Sequence, residues 1–154
     1  MPSPQHSVSV AAVIVNDQHQ ILMTQRRDNG HWEPPGGVLE LGESIPDGLR
    51  REVREETGLD VEPEQLTGVY KNMERGIVAL VFRARVVGGT AAHETDETAT
   101  MQWLDSDDVA ARCDEAYAVR VLDALADGAP IIRAHDGVNV LPGLDELAEP
   151  KASL

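Results

Sequence analysis

Three glutamates stand close together as Glu52, Glu55 and Glu56, in the spacing E-x-x-E-E. On a helix that advances about 100° per residue, with Ile45 at zero, Glu52 falls at about −20°, Glu56 at about +20° and Glu55 at about −80°. Leu49 and Val53 fall at about 40° and 80° on the same wheel, so two carboxylates point toward the side a helix buries. Arg50, Arg54 and Arg51 lie elsewhere, at about 140°, 180° and −120°. The glutamates also crowd the C-terminal half of the segment, where the helix dipole disfavours anions. At about 6 Å and an effective dielectric of about 20, each like-charge pair costs roughly 3 kcal/mol. Hard carboxylate oxygens in this arrangement suit a bound divalent cation, Mg²⁺ or Mn²⁺. The same spacing also fits a solvated acidic helix end with pairs such as Arg51–Glu55, so the surrounding residues must decide between the two.

The element that would carry these groups has clear start and stop signals. Ser44 can cap a helix running to Thr57, with Pro46 in the first turn and Asp47 three residues after the cap. Gly58 follows as a natural left-handed terminator. Ile45, Leu49 and Val53 recur every four residues and form the stripe to be buried, worth roughly 1.5–3 kcal/mol per side chain.

Around this helix the pattern is mixed. Residues 8–16 form a nearly continuous apolar run, as in a strand covered on both faces. A turn at Asn16-Asp17-Gln18 and a second strand over 20–26 suggest a hairpin. Pro34-Pro35-Gly36-Gly37 is a rigid, then permissive, loop leading to a short extended segment at 38–41. Strands are expected over 66–71, 76–87 and 100–104, helices over 105–111 and 115–126, and a strand pair over 131–140 around Asp136-Gly137. The implied class is α/β, a central mixed sheet with helices on both faces. Residues 1–141 are expected to form a single domain, with 142–154 a loosely held tail.

Bulk properties narrow the function. The chain has 154 residues and a formal net charge of −14, with no basic run, which argues against a nucleic-acid partner. No apolar run approaches the roughly 18 residues of a membrane span, so no membrane association is expected. The lone cysteine, Cys113, permits no intrachain disulfide and fits a reducing cytoplasm. His6, His19, His31, His93 and His135 show no metal-ligand spacing and read as surface residues.

From Gly37 the chain reads GVLELGESIPDGLRREVREETGL. This resembles the Nudix signature G-x5-E-x7-R-E-U-x-E-E-x-G-U (U, bulky aliphatic) at every position, through Gly37, Glu43, Arg51, Glu52, Val53, Glu55, Glu56, Gly58 and Leu59. Seven of these positions accept one residue type, so a chance match is on the order of 10⁻⁸ per starting point. Trp32 to Gly37 resembles the family's W-x-x-P-G-G lead-in, and Glu97 with Trp103 resembles its E-x5-W feature. The resemblance implies a Nudix-type α/β/α sandwich and a hydrolase in which water attacks phosphorus with the help of Mg²⁺. Glu52, Glu55, Glu56 and Glu97, with the Gly36 carbonyl, are then the implied metal ligands, and Arg51 the residue that orients the glutamates. Glu43 is a supporting carboxylate, Gly37 and Gly58 are backbone requirements, and Glu56 and Glu97 are the two candidates for general base.

The expected substrate is a small nucleotide, most simply a nucleoside triphosphate. ADP-ribose or another nucleotide sugar is the alternative, as is a module that senses a nucleotide without cleaving it. Such modules usually lose signature residues, and none is missing here. Arg26 and Arg27 are candidate substrate contacts, with Lys71 and Arg83 weaker ones. Trp32 and Trp103 read as packing residues. A homodimer is expected only because many relatives dimerise.

Overall fold

The computed structural model describes residues 2–92, 95 and 98–143. Nine strands and three helices follow in the order β1 (Ser7–Ile14), β2 (Ile21–Arg26), β3 (Trp32–Glu33), β4 (Gly36–Val38), α1 (Ile45–Thr57), β5 (Leu59–Asn72), β6 (Ile77–Gly89), β7 (Thr98–Leu104), α2 (Ser106–Arg112), α3 (Glu115–Leu125), β8 (Ile131–His135) and β9 (Val140–Leu141). A six-stranded mixed sheet has the order β4-β1-β6-β5-β8-β9, and a three-stranded antiparallel sheet has the order β3-β2-β7.

Strand β1 organises the layers. Its side chains alternate, as the two-residue period of a strand demands. Val10, Ala12 and Ile14 pack with Leu49 and Val53 of α1, while Ala11 and Val13 pack with Val109 of α2 and Val121 and Ala124 of α3. The apolar run is therefore covered on both faces, and the architecture is α/β/α. Burial of apolar area on both sides of one strand stabilises this arrangement.

Several details differ from the sequence expectations, among them that Gly36 and Gly37 lie in β4, which ends at Val38. The β1–β2 turn forms, tightened by Asn16 Oδ1 accepting from the backbone N–H groups of Gln18 and Gln20 at 3.0 and 2.9 Å. The hairpin does not continue: only a Val15–Ile21 bridge joins the strands, because both edges of β1 are taken by β4 and β6. Strand β5 starts at Leu59, not at residue 66. Pro63 sits at a bulge against β6, and β8 pairs with β5 only from Gly68 onward, so the proline lies where the second edge is open. On α1, Leu49 and Val53 are fully buried but Ile45 is 38% exposed. Gly48, one turn on, is a point of close approach, where an added Cβ would fall 2.3 Å from Leu39 Cδ1.

The helix itself follows its local code. Ser44 Oγ accepts the Asp47 N–H at 3.3 Å. Gly58 closes the other end at φ 78°, its N–H donating to the Arg54 carbonyl at 2.9 Å. No helix among the described residues is long and apolar enough to cross a membrane.

Candidate active site

The C-terminal half of α1 faces the Gly36-Gly37 segment of β4. Glu52 and Glu56 are each only 7% exposed, whereas the Glu55 side chain is 57% exposed. The helical wheel separates them in this way: Glu52 and Glu56 flank the apolar stripe and Glu55 sits at its rim. Burying two carboxylates requires specific hydrogen bonds. Gly36 N–H donates to Glu56 Oε2 at 3.1 Å. Arg51 Nη1 donates to Glu52 Oε1 at 2.9 Å and to Glu55 Oε2 at 3.3 Å.

Arg51 is the hub. Its Nε and Nη2 form a two-pronged pair with Glu43 at 2.9 and 2.6 Å, and Nη2 also donates to the Val38 carbonyl at 3.2 Å. A planar guanidinium with five donors suits this fork and a lysine would not. The Arg51 hydrogen bonds, with one from the Glu40 N–H, hold the Glu43 carboxyl down to about 2. Arg51 is pushed further above its ordinary value by the same Glu43 contact. Gly37 completes the seat, since a Cβ there would fall 2.3 Å from Glu52 Oε2.

Glu52 and Glu56 line a cavity of about 450 Å³ together with Arg26, Arg27, Asp28, Gly36, Gly37 and Val38. Among the described residues, no three carboxylate, imidazole or thiol groups converge on one point. Glu52 and Glu55 turn toward Arg51, and Glu56 turns toward Gly36 N–H. Glu97, Glu94, Asp96 and His93 lie outside the described residues, as do residues 144–154 of the expected tail. The Gly36 contact seen is made by its N–H, not by its carbonyl.

The substrate-side candidates divide. Arg26 lines the cavity but is already engaged, pairing with Asp28 at 2.8 Å and Glu33 at 3.2 Å. That contact lowers the Asp28 carboxyl to about 2. Arg27 lines the cavity and donates to the Thr95 carbonyl at 2.7 Å. Lys71 lines neither cavity described here. Its neighbour Asn72 lines the second one, and strand alternation puts Lys71 on the opposite face of β5. Arg83 is spent on the end of α3, donating to the Ala124 carbonyl through Nε at 3.1 Å and through Nη2. Trp32 and Trp103 are partly buried against the two core clusters, as expected. Burial pushes the Cys113 thiol up to about 11, so it is not activated.

A second cavity, of about 400 Å³, adjoins the first and shares Arg26, Asp28, Gly36, Gly37 and Val38 with it. Its far wall holds Asn72, Tyr117, Arg120 and His135. His135 is 1% exposed and no surface residue, because β8 carries it inward beside α3. The sequence reading singled out none of Asn72, Tyr117 and Arg120, and took His135 for a surface residue. A signal was present: at about 100° per residue Arg120 lies between Ala116 and Ala124, a lone cation on an otherwise apolar stripe.

The NUDIX domain family model matches residues 5–125. The chain belongs to the Nudix family. A MutT-like protein of Streptomyces ambofaciens is 52% identical over 139 residues, 90% of each chain. An 8-oxo-dGDP phosphatase of Danio rerio is 40% identical over 102 residues, 62% of this chain and 31% of that longer protein. Among solved structures, a MutT protein from Methanosarcina mazei superposes with a TM-score of 0.67 at 25% identity, covering 79% of this chain and 94% of that one. The α/β/α layers are thus the Nudix fold, and the protein is a Nudix hydrolase, an enzyme acting on acid anhydrides.

Proposed function

We propose that this Nudix hydrolase cleaves the diphosphate bond of a nucleoside triphosphate or a closely related nucleotide, with Mg²⁺ as its metal and Mn²⁺ able to substitute. The observation that carries this reading is the pair of buried carboxylates, Glu52 and Glu56, on one wall of a cavity large enough for a diphosphate. Two like-charged oxygen-donor groups nine-tenths buried fit a hard divalent cation. Glu52 and Glu56 would hold it, with Glu55 at the rim and Glu97 as a further ligand. When bound, such an ion neutralises diphosphate oxygens and lowers the pKa of its water. The chain's own groups supply the rest. Arg51 keeps Glu52 and Glu43 in place, and Gly36 N–H fixes one oxygen of Glu56. Arg27 sets positive charge on the cavity wall that phosphate oxygens would meet, and Arg26 would add to it by exchanging Asp28 or Glu33 for a phosphate oxygen. Glu56 and Glu97 remain the two base candidates, and the relative that acts on an oxidised guanine nucleotide supports a purine substrate.

The test is phosphate and pyrophosphate release from a nucleotide panel with Mg²⁺, using wild type and Glu56→Gln. Wild type should turn over at least one nucleoside triphosphate, lose activity in EDTA and regain it with Mg²⁺. Glu56→Gln should lose at least 100-fold in kcat while melting normally, on the order expected for a catalytic carboxylate. Full activity in chelator, or an unchanged kcat in the variant, overturns the assignment. The lone, inert Cys113 supports a reducing, cytoplasmic setting for the enzyme.

A further inference from the structure

The second cavity contains a cation that the protein does not satisfy. Arg120 on α3 is 8% exposed, and its Nε has no hydrogen-bond partner. No carboxylate among the described residues pairs with it; it is held over the rings of Tyr117 and Tyr70, 4.7 and 5.2 Å from their centroids. Contact with the ring faces supports the charge but supplies no in-plane acceptor for the N–H groups.

The neighbour sharpens the problem. Arg120 Nη2 lies 3.2 Å from His135 Nε2. His135 Nδ1 accepts the Gly137 N–H at 2.9 Å, which assigns the ring proton to Nε2. A doubly protonated ring would carry a proton there as well. Two donors therefore face each other at hydrogen-bond distance, beside a third donor, Nε, with no partner. Buried donors left in this state are costly, and an acceptor placed between them removes the cost.

We propose that Arg120 and His135 are the specificity-determining pair of this enzyme, converging on the O6 carbonyl of a 6-oxopurine base. The proposal rests on the nucleotide-hydrolase reading above and names its base. A carbonyl oxygen has two lone pairs, one for each donor, and a guanidinium edge meeting purine O6 is a common recognition contact. The cavity is continuous with the one that holds Glu52 and Glu56, through Gly36, Gly37 and Arg26. A diphosphate beside those glutamates leaves the nucleoside to fill it. A phosphate group fits this wall less well, because Glu33, which lines this cavity and not the one beside Glu52 and Glu56, would repel it. What Arg120 lacks is an acceptor. An adenine would present its 6-amino group, a donor against donors, and leave all of them unpaired.

The decisive comparison is dITP against dATP, which differ chiefly at the 6-position, with calorimetric binding of dIMP and dAMP as a readout independent of turnover. Wild type should favour the 6-oxo base on the order of tenfold or more, in kcat/KM and in affinity. Arg120→Met should bring that ratio to within about threefold, and His135→Leu should do so separately if the first variant folds poorly. A purely structural role would lower the melting temperature and depress both substrates together. Equal handling of the two bases by wild type, or an unchanged ratio in both variants, overturns the proposal. If no nucleotide is hydrolysed, the hydrolase reading fails, while the dIMP and dAMP titrations still decide the base preference.

Discussion

Gly36 and Gly37 adjoin in sequence and should fail in opposite ways when a methyl group is added. At Gly37 the new Cβ would fall 2.3 Å from Glu52 Oε2 and 2.5 Å from its Cδ. A carbon-to-oxygen contact needs about 3.3 Å, so the carboxylate must retreat by about 1 Å. It sits at the end of a flexible side chain and can do so with little effect on the fold. The retreat strains the 2.9 Å bond to Arg51 and moves a proposed metal ligand. A displacement of about 1 Å in a reacting constellation can cost about 100-fold in rate. At Gly36 the Cβ would instead fall 2.1 Å from the Val10 carbonyl and 2.7 Å from Ala11 Cα, the backbone of β1. Backbone in the middle of a sheet cannot step aside, and such overpacking costs about 1–3 kcal/mol or more. At about 2–4 °C per kcal/mol for a chain of this size, Gly36→Ala should lower Tm by about 5 °C or more, and Gly37→Ala by less than about 3 °C. Thermal melts together with kcat on the best nucleotide separate the two. A Gly37→Ala enzyme with wild-type kcat would refute the argument that this glycine seats Glu52.

Arg51→Lys should lose about 10- to 100-fold in kcat, the range typical for residues that hold a metal-site carboxylate, because an ammonium cannot reach Glu43, Glu52 and Glu55 as one planar fork. A kcat within threefold of wild type would show that the hub is dispensable. His135 is held below its ordinary value of 6.5, first by burial and then by the charge of Arg120. Below about pH 6.5 the unfolded chain takes up a proton that the folded chain resists, so stability falls as pH drops through that value toward the lower folded one. His135→Leu should flatten this part of the Tm-against-pH curve below about pH 6.5, and an identical slope in both proteins would sink the assignment.

The functional helix was legible in the sequence because its information is local. Ser44, Pro46 and Gly58 set the ends of α1 through backbone geometry, and a period of about 3.6 residues decides that Glu52 and Glu56 turn inward while Glu55 stays at the rim. The nearly continuous apolar run at 8–16, which has no polar alternation, likewise marked β1 as covered on both faces. Ile45 escaped it, because periodicity gives the face of a residue but not whether anything packs against that turn.

What only the tertiary structure decided is non-local. The β1–β2 turn is encoded by Asn16, but whether its arms pair depends on competition for the edges of β1, which β4 and β6 win from elsewhere in the chain. Lys71 and Asn72 are adjacent letters of similar polarity, yet strand alternation sends Asn72 into the cavity and Lys71 to the other face. The wall of Tyr117, Arg120 and His135 is assembled from α3 and β8 against β5, and no spacing rule joins residues brought together by a parallel crossover. The sequence by itself determined the family and its reaction class, because the signature that carries them lies largely in one helix with a local code. The pocket that would choose the base is a product of packing, where long-range contacts, and not neighbouring residues, set which donors meet.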